Sequence, residues 1–165
     1  MTNLLQKLHR FVRRERGAAM AELAILVPIL VLLVAAVSDF GRFFQQYTTL
    51  AKSTRTAARY LSNHPFPENQ VAARNLVVCG KLTCAGGDEL VRGFSAANVC
   101  IDSTTVTGST KIETVTVSIP RTGGAGACGQ PFNYQPIFNI GALLNTGFTF
   151  TPAISPSVTM YYMID

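Results

Sequence analysis

A run of twenty almost entirely apolar residues near the N-terminus limits how this chain can fold more than any other feature. The run extends from Ala18 to Val37 and is interrupted only by Glu22 and Pro28. As a helix, about twenty residues are enough to cross the hydrocarbon core of a bilayer. The run therefore predicts a single transmembrane helix.

Glu22 is the residue in this run that most requires an explanation. A carboxylate inside a bilayer costs about 2.5 to 3.5 kcal/mol on insertion scales, so an intramembrane acid indicates function and a specific partner. Cleavage between Gly17 and Ala18 would create that partner, because Ala18 would gain a free α-amine and Glu22 would become the fifth residue of the shortened chain. We therefore predict a cleavage site at Gly17 and Ala18 and an assembly role for Glu22.

The leader, residues 1–17, carries most of the net positive charge of the chain. Its single acid is Glu15, and its basic residues are Lys7, Arg10, Arg13, Arg14 and Arg16. By the positive-inside rule, the N-terminus stays in the cytoplasm and the remainder is exported. Of the 14 basic and 9 acidic residues of the whole chain, 9 and 8 remain beyond the leader. This near-neutral remainder gives no indication of a nucleic-acid surface.

Helical periodicity continues beyond the apolar run. Residues that are apolar or small recur at three- and four-residue intervals, which is typical of an amphipathic helix: Phe40, Phe43, Phe44, Tyr47, Leu50, Ala51, Thr54, Ala57, Ala58 and Leu61. The first four of these are the predicted helix-packing residues. Asn63 to Pro67 contains two prolines and should end the helix. We expect one helix over residues 18–62, transmembrane over 18–37 and amphipathic over 38–62.

The remaining residues, 63–165, form a predicted extracytoplasmic β-rich domain. Its strand candidates are Asn75 to Cys79, Asn98 to Asp102, Thr114 to Ile119, Phe148 to Phe150 and Ser157 to Met163. A Gly-rich loop is expected at Gly123 to Gly129, and Ile137 to Leu144 is either a short helical turn or irregular. Elements in this order predict an α+β fold, in which the apolar stripe of the long helix packs on one face of a small antiparallel sheet.

Four cysteines lie in this region, at Cys79, Cys84, Cys100 and Cys128. An even number in a small exported domain suggests two disulfides, for which three pairings are possible. The spacing favours Cys79 with Cys84 across a tight loop, and Cys100 with Cys128 between a strand and the Gly-rich loop. The spacing is unlike that of zinc sites, so no metal is expected.

Residue patterns typical of catalysis are nearly absent from the sequence. Neither histidine has a recognisable nucleophilic partner. Gly124, Gly126 and Gly129 match the dinucleotide-binding spacing, but Pro131 follows and no βαβ pattern surrounds them. The sequence therefore predicts a non-enzymatic protein without a cofactor.

Two segments resemble the TadE-like proteins, which are minor pilins or pseudopilins of the tight-adherence (Tad or Flp) branch of type IV pilus systems. One runs from Asp39-x-Gly41-Arg42 to Ala57-Ala58-Arg59-Tyr60, and the other is Arg14-x-Arg16-Gly17-Ala18-Ala19-x-Ala21-Glu22-x-Ala24 followed by Pro28. The resemblance covers roughly residues 13 to 62. It implies a type IV pilin-like fold and a structural function.

This resemblance also implies roles for particular residues and partners. Gly17 would be the last leader residue recognised by prepilin peptidase, and Ala18 the first residue of the mature protein. Glu22 would pair with the N-terminal amine of a neighbouring subunit. The other expected partners are the inner membrane, the major Flp pilin, other pseudopilins, the assembly platform and its ATPase. The protein would reside in the bacterial inner membrane and, after assembly, in an extracellular pilus used in surface adherence.

Two other interpretations remain open at this point. The first is a single-pass periplasmic binding module or adhesin that does not polymerise. The second is a secreted enzyme released by ordinary signal peptidase at Ala36 to Ser38, which predicts a mature terminus near Asp39.

Overall fold

The computed structural model describes residues 2–64, 68–107, 111–122, 128–138 and 151–162 of the 165-residue chain. In these residues it has two α-helices, a short 3-10 helix and three strands: α1 Thr2–Ser62, α2 Gln70–Cys79, the 3-10 helix Ala96–Asn98, β1 Cys100–Thr107, β2 Lys111–Ser118 and β3 Ser157–Tyr161. A long apolar helix with a small antiparallel sheet is an α+β arrangement. The predicted fold class is therefore confirmed.

Helix α1 has 61 residues and includes residues 2–17 of the leader, so it begins at Thr2 instead of Ala18. It continues through Pro28 and ends at Ser62, the residue that the sequence predicts. The Ser62 hydroxyl and the Asn63 side-chain amide each donate a hydrogen bond to the Arg59 carbonyl oxygen, both at 2.9 Å. These bonds satisfy one of the last four carbonyl groups of the helix, which have no N–H donor within the helix itself.

The three strands form one antiparallel sheet in the order β1-β2-β3. Ile101 is opposite Val117 in the first pair of strands, and Val117 is opposite Val158 in the second. Val115 and Val117 have no exposed surface, whereas Thr114 and Thr116 on the alternate positions are partly exposed. This alternation is the period of two that predicted β2 from the sequence.

The core lies between the second half of α1, helix α2 and the sheet. Helix α1 contributes residues with no exposed surface at helical spacing: Leu50, Thr54, Ala57, Ala58 and Leu61. The two alanines are small enough to let a neighbouring element approach the helix backbone closely. Burying a side chain the size of Leu50 or Leu61 stabilises the fold by about 1.5 to 3 kcal/mol.

The predicted strand from Asn75 to Cys79 is wrong, because these residues end helix α2. Ala73, Leu76 and Val77 recur at helical spacing and are the buried side of α2. The helix ends at Gly80, whose N–H donates to the Leu76 carbonyl at 3.1 Å. A short apolar run has no periodicity that separates a strand from a buried helix, which explains the error.

Other strand predictions differ less from the structure. The predicted strand from Asn98 to Asp102 begins at Cys100 and extends to Thr107. The strand predicted from Ser157 is β3, although Met163 is outside the described residues. The predicted strand from Phe148 to Phe150 also lies outside them, as do most of the Gly-rich loop and most of the segment from Ile137 to Leu144.

Two disulfides join the four cysteines in the pairs that the spacing favours. Cys79 at the end of α2 is bonded to Cys84, with their Cα atoms 6.0 Å apart. Cys100 at the start of β1 is bonded to Cys128, with Cα atoms 5.2 Å apart. The first closes a local loop, and the second ties the sheet to a segment 28 residues further along the chain.

Candidate functional site

The residues predicted for cleavage and assembly lie in the first half of α1. Gly17, Ala18 and Glu22 are all exposed, and among the described residues no side chain beyond the immediate chain neighbours lies within 4 Å of the position that a Cβ atom on Gly17 would take. Because Ala18 and Glu22 are four residues apart on a helix, they share a face, and their Cβ atoms should be about 6 Å apart. An amine created at Ala18 would therefore form on the same side of the helix as the Glu22 carboxylate.

One face of α1 carries an exposed apolar row, which we call the seam. Its residues alternate in steps of four and three, with exposures from 41% at Tyr47 to 71% at Val37: Leu26, Leu30, Leu33, Val37, Phe40, Phe44 and Tyr47. Glu22 lies four residues before Leu26 and so is on the same face. A mean spacing of 3.5 residues is the repeat by which helices pack side by side in a left-handed supercoil.

A second face of α1 is covered by the rest of the chain. Ala35 and Asp39 are only 8% and 6% exposed, and this face continues into the core at Leu50. Phe43 belongs to it, because its ring meets that of Tyr134 edge-on with centroids 5.6 Å apart. The four predicted helix-packing aromatics are thus divided between Phe43, which packs inside the protomer, and Phe40, Phe44 and Tyr47, which the fold leaves exposed on the seam.

Asp39 is a buried carboxylate just beyond the apolar run. Its oxygens accept hydrogen bonds from the backbone N–H groups of Ile137 at 3.2 Å and Phe138 at 3.1 Å. The Tyr134 hydroxyl donates to the Asp39 main-chain oxygen at 3.0 Å, with Asp39 Oδ1 at 3.4 Å. Burial raises the pKa of the Tyr134 hydroxyl, and the negative charge of Asp39 raises that pKa further.

From the sequence, Asp39 stood out only as part of the family motif and as the position near which ordinary signal peptidase would leave the mature terminus, and no partner was predicted for it. Its partners lie 95 to 99 residues away, in a segment for which no strand was predicted. Its position was the available signal. It is an acid two residues after a predicted transmembrane run, and a carboxylate buried at such a place requires hydrogen-bond donors from another part of the chain.

Charged groups elsewhere in the described residues do not assemble a catalytic set. Cys100, Asp102 and Cys128 lie close enough to suggest a metal site, but the two sulfur atoms are bonded to each other and only one carboxylate remains. Lys81 and Asp88 form an ion pair at 2.8 Å on the surface. The Lys81 ammonium group and the Ala85 backbone lower the pKa of Asp88, and solvent screens this pair.

Comparison with known proteins matches only the helix. The family model described as TadE-like protein matches residues 17–59, which include the predicted cleavage junction, Glu22, the seam and Asp39. No curated protein and no solved structure matches the chain. The match supports the resemblance found in the sequence, over the part of α1 that begins at Gly17.

Proposed function

We propose that this chain, a TadE-like protein of the Tad pilus system by its helix at residues 17–59, is a minor pilin that prepilin peptidase cleaves after Gly17. The mature chain then enters a Tad/Flp pilus used in surface adherence, or primes its assembly. The observation that carries the proposal is the position of Glu22 at one end of the exposed seam. One face of the helix thus offers both a carboxylate that requires a counter-charge and an apolar surface that requires a neighbour.

Before assembly, the chain is anchored in the inner membrane through α1. The helix has a mean hydropathy of 2.7 in its most apolar window, of which only 6% is buried in the fold. A core helix of a soluble protein would be mostly buried, so this exposure fits a membrane anchor. The basic leader supports a topology with the N-terminus in the cytoplasm and the sheet in the periplasm, a compartment in which disulfides form and persist.

In assembly, the Glu22 carboxylate pairs with a positive charge on a neighbouring subunit. In a medium of low dielectric constant, a single buried carboxylate or amine is costly, whereas a close pair offsets much of that cost. The α-amine of Ala18 on an adjoining subunit supplies the positive charge. Cleavage also creates a new helix N-terminus, whose dipole favours a negative charge nearby.

The partners in assembly follow from the seam. Leu26 to Val37 offers aliphatic side chains at membrane depth, and Phe40, Phe44 and Tyr47 continue the same row beyond it. We expect the seam to pack against the helices of the major Flp pilin or other pseudopilins. The assembly platform and its ATPase would act on the chain from the inner membrane, as the resemblance implies.

Substitution of Glu22 tests this proposal. We expect Glu22→Gln and Glu22→Leu to be absent from sheared pili and retained in the membrane, because neither offers a charge to the amine of a neighbour. Glu89→Gln is the matched control, since Glu89 is an exposed acid outside α1. The measurement is immunoblotting of pilus and membrane fractions, with the mature N-terminus determined by mass spectrometry.

Incorporation of both Glu22 variants at the level of the unmodified protein would contradict the proposal. It would favour the membrane-anchored module that does not polymerise, for which Glu22→Leu should insert at least as well. A chain that retains Met1 in cells with active peptidase would contradict the processing step.

A further inference from the structure

Phe138 lies against the apolar part of α1, far along the chain from it. It lines an open groove with four residues of the predicted membrane span and the residue that follows the span: Leu30, Val31, Val34, Ala35 and Ser38. These helix residues extend over about 12 Å of the helix axis at 1.5 Å per residue. The described chain therefore returns from the sheet to the level of the membrane span.

Ile137 and Phe138 remain exposed in this position. Their exposed fractions are 57% and 51%, although both side chains are large and apolar. The groove and the seam are different parts of the helix surface, because they have only Leu30 in common. Two apolar side chains thus project beside the outer end of the span, on a part of α1 that the seam does not occupy.

Asp39 removes the main obstacle to placing this segment in lipid. Backbone N–H groups cannot enter a hydrocarbon region without an acceptor, since no water is there to accept their hydrogen bonds. The Asp39 carboxylate accepts from the N–H groups of both Ile137 and Phe138, at 3.2 and 3.1 Å. It is 6% exposed, so the donors also satisfy a carboxylate that the fold itself buries.

We propose that Ile137 and Phe138 insert among the lipid acyl chains of the outer half of the bilayer while the chain resides in the membrane, and that Asp39 is the positioning residue for this insertion. The proposal rests on the membrane topology given under Proposed function. Isoleucine and phenylalanine are both favourable in the bilayer interior on insertion scales, and the groove beside Phe138 is lined by residues that face lipid in that topology. This second attachment would fix the orientation of the sheet relative to the membrane.

Tryptophan fluorescence tests the insertion directly, because the chain contains no tryptophan. The full chain carrying Phe138→Trp is reconstituted into phosphatidylcholine vesicles with brominated acyl chains, which quench tryptophan on contact. Val34→Trp is the lipid-facing standard, because Val34 lies within the span and its side chain is 69% exposed on the protein surface. Tyr161→Trp is the aqueous standard, because Tyr161 is 66% exposed. It is also the last residue of β3, whereas the other end of β3 follows Pro152, whose carbonyl accepts a hydrogen bond from the Tyr134 N–H.

We expect the fluorescence loss of Phe138→Trp to be closer to that of Val34→Trp than to that of Tyr161→Trp, with emission shifted to the blue. Quenching no stronger than that of Tyr161→Trp would overturn the inference. Blue-shifted but unquenched emission would also overturn it, since protein and not lipid would then cover the residue. Failure of Val34→Trp to be quenched would instead contradict the membrane anchor in the proposed function.

The role of Asp39 is tested in the Phe138→Trp background. Asp39→Ala leaves both N–H groups without an acceptor, so we expect acyl-chain quenching to be lost, while Asp39→Asn retains one carbonyl oxygen and part of the quenching. Glu89→Ala is the control for lost charge, at an exposed residue. Full quenching in Asp39→Ala would exclude a positioning role for Asp39. An unchanged circular dichroism spectrum in each variant would show that the sheet region has folded.

Discussion

At the scale of single residues, the contact between Tyr134 and Asp39 joins α1 to the later part of the chain. Tyr134 is 1% exposed, and its hydroxyl donates to a main-chain oxygen of a residue that is itself buried. The ring also packs edge-on against Phe43. One side chain therefore provides both a hydrogen bond and an aromatic contact, and the two effects can be separated by substitution.

Tyr134→Phe keeps the ring and removes the hydroxyl. We expect it to lower the free energy of unfolding by about 1 to 3 kcal/mol, because buried acceptors lose their donor. Tyr161→Phe is the control, since Tyr161 is 66% exposed. The measurement is denaturant unfolding of the full chain in detergent, and equal stabilities of the two variants would contradict the assigned contact.

The difference between Tyr134→Phe and the unmodified protein should also depend on pH. Because the pKa of Tyr134 is raised above the ordinary value of 10.0, the folded state holds the phenol proton more tightly than the unfolded state. This contribution is fully present below pH 10.0 and is lost as the pH rises towards the folded pKa. The stability difference should therefore narrow above that pH. Tyr162, whose pKa is raised by burial and by Glu113, contributes equally to both proteins.

At the scale of elements, the end of α2 shows how one backbone position sets a boundary. Gly80 has a φ of 72°, in the left-handed region, and its N–H bonds the Leu76 carbonyl. A Cβ atom there would lie 3.8 Å from the Leu90 side chain, which is ordinary contact. The constraint at this position is therefore conformational and not steric crowding.

Gly80→Ala should destabilise the protein by about 1 kcal/mol, since an alanine is disfavoured at positive φ. Gly86→Ala is the matched control, because in the described part of the chain no atom beyond its neighbours in sequence lies within 4 Å of the position that a Cβ on Gly86 would take, and its φ is not left-handed. Thermal unfolding followed by circular dichroism would measure both. A Gly80→Ala variant as stable as the Gly86→Ala variant would show that the helix end tolerates a different cap.

The two disulfides should contribute unequally to stability. Their sequence separations are 5 and 28 residues, and the loop-closure argument gives about 2 kcal/mol for the shorter loop and about 3.5 kcal/mol for the longer one. Replacing Cys100 and Cys128 by serine should therefore lower the unfolding midpoint more than replacing Cys79 and Cys84. The reverse order in denaturant unfolding would contradict this account.

At the scale of the whole molecule, the features that the sequence predicted are those with local causes. The end of α1 follows from the prolines after Asn63, and β2 follows from strict alternation around Val115 and Val117. The error at α2 arose because Val77 and Val78 suit a strand by composition, while contact with α1 selects a helix. Asp39 was missed for a different reason: nothing near it in sequence indicates a partner 98 residues away.

The continuity of α1 through residue 17 has a consequence for the proposed cleavage after Gly17. A peptide bond within a helix has a hydrogen-bonded carbonyl and a helical backbone conformation. The turn that contains it must therefore unfold to an extended conformation before a protease can cleave it. Glycine within a helix costs about 1 kcal/mol relative to alanine, which makes Gly17 a point of weakness between two better helix formers, Arg16 and Ala18. The frequency of local helix unfolding at Gly17 would then determine how often this bond is accessible to the peptidase, and so limit the rate of cleavage.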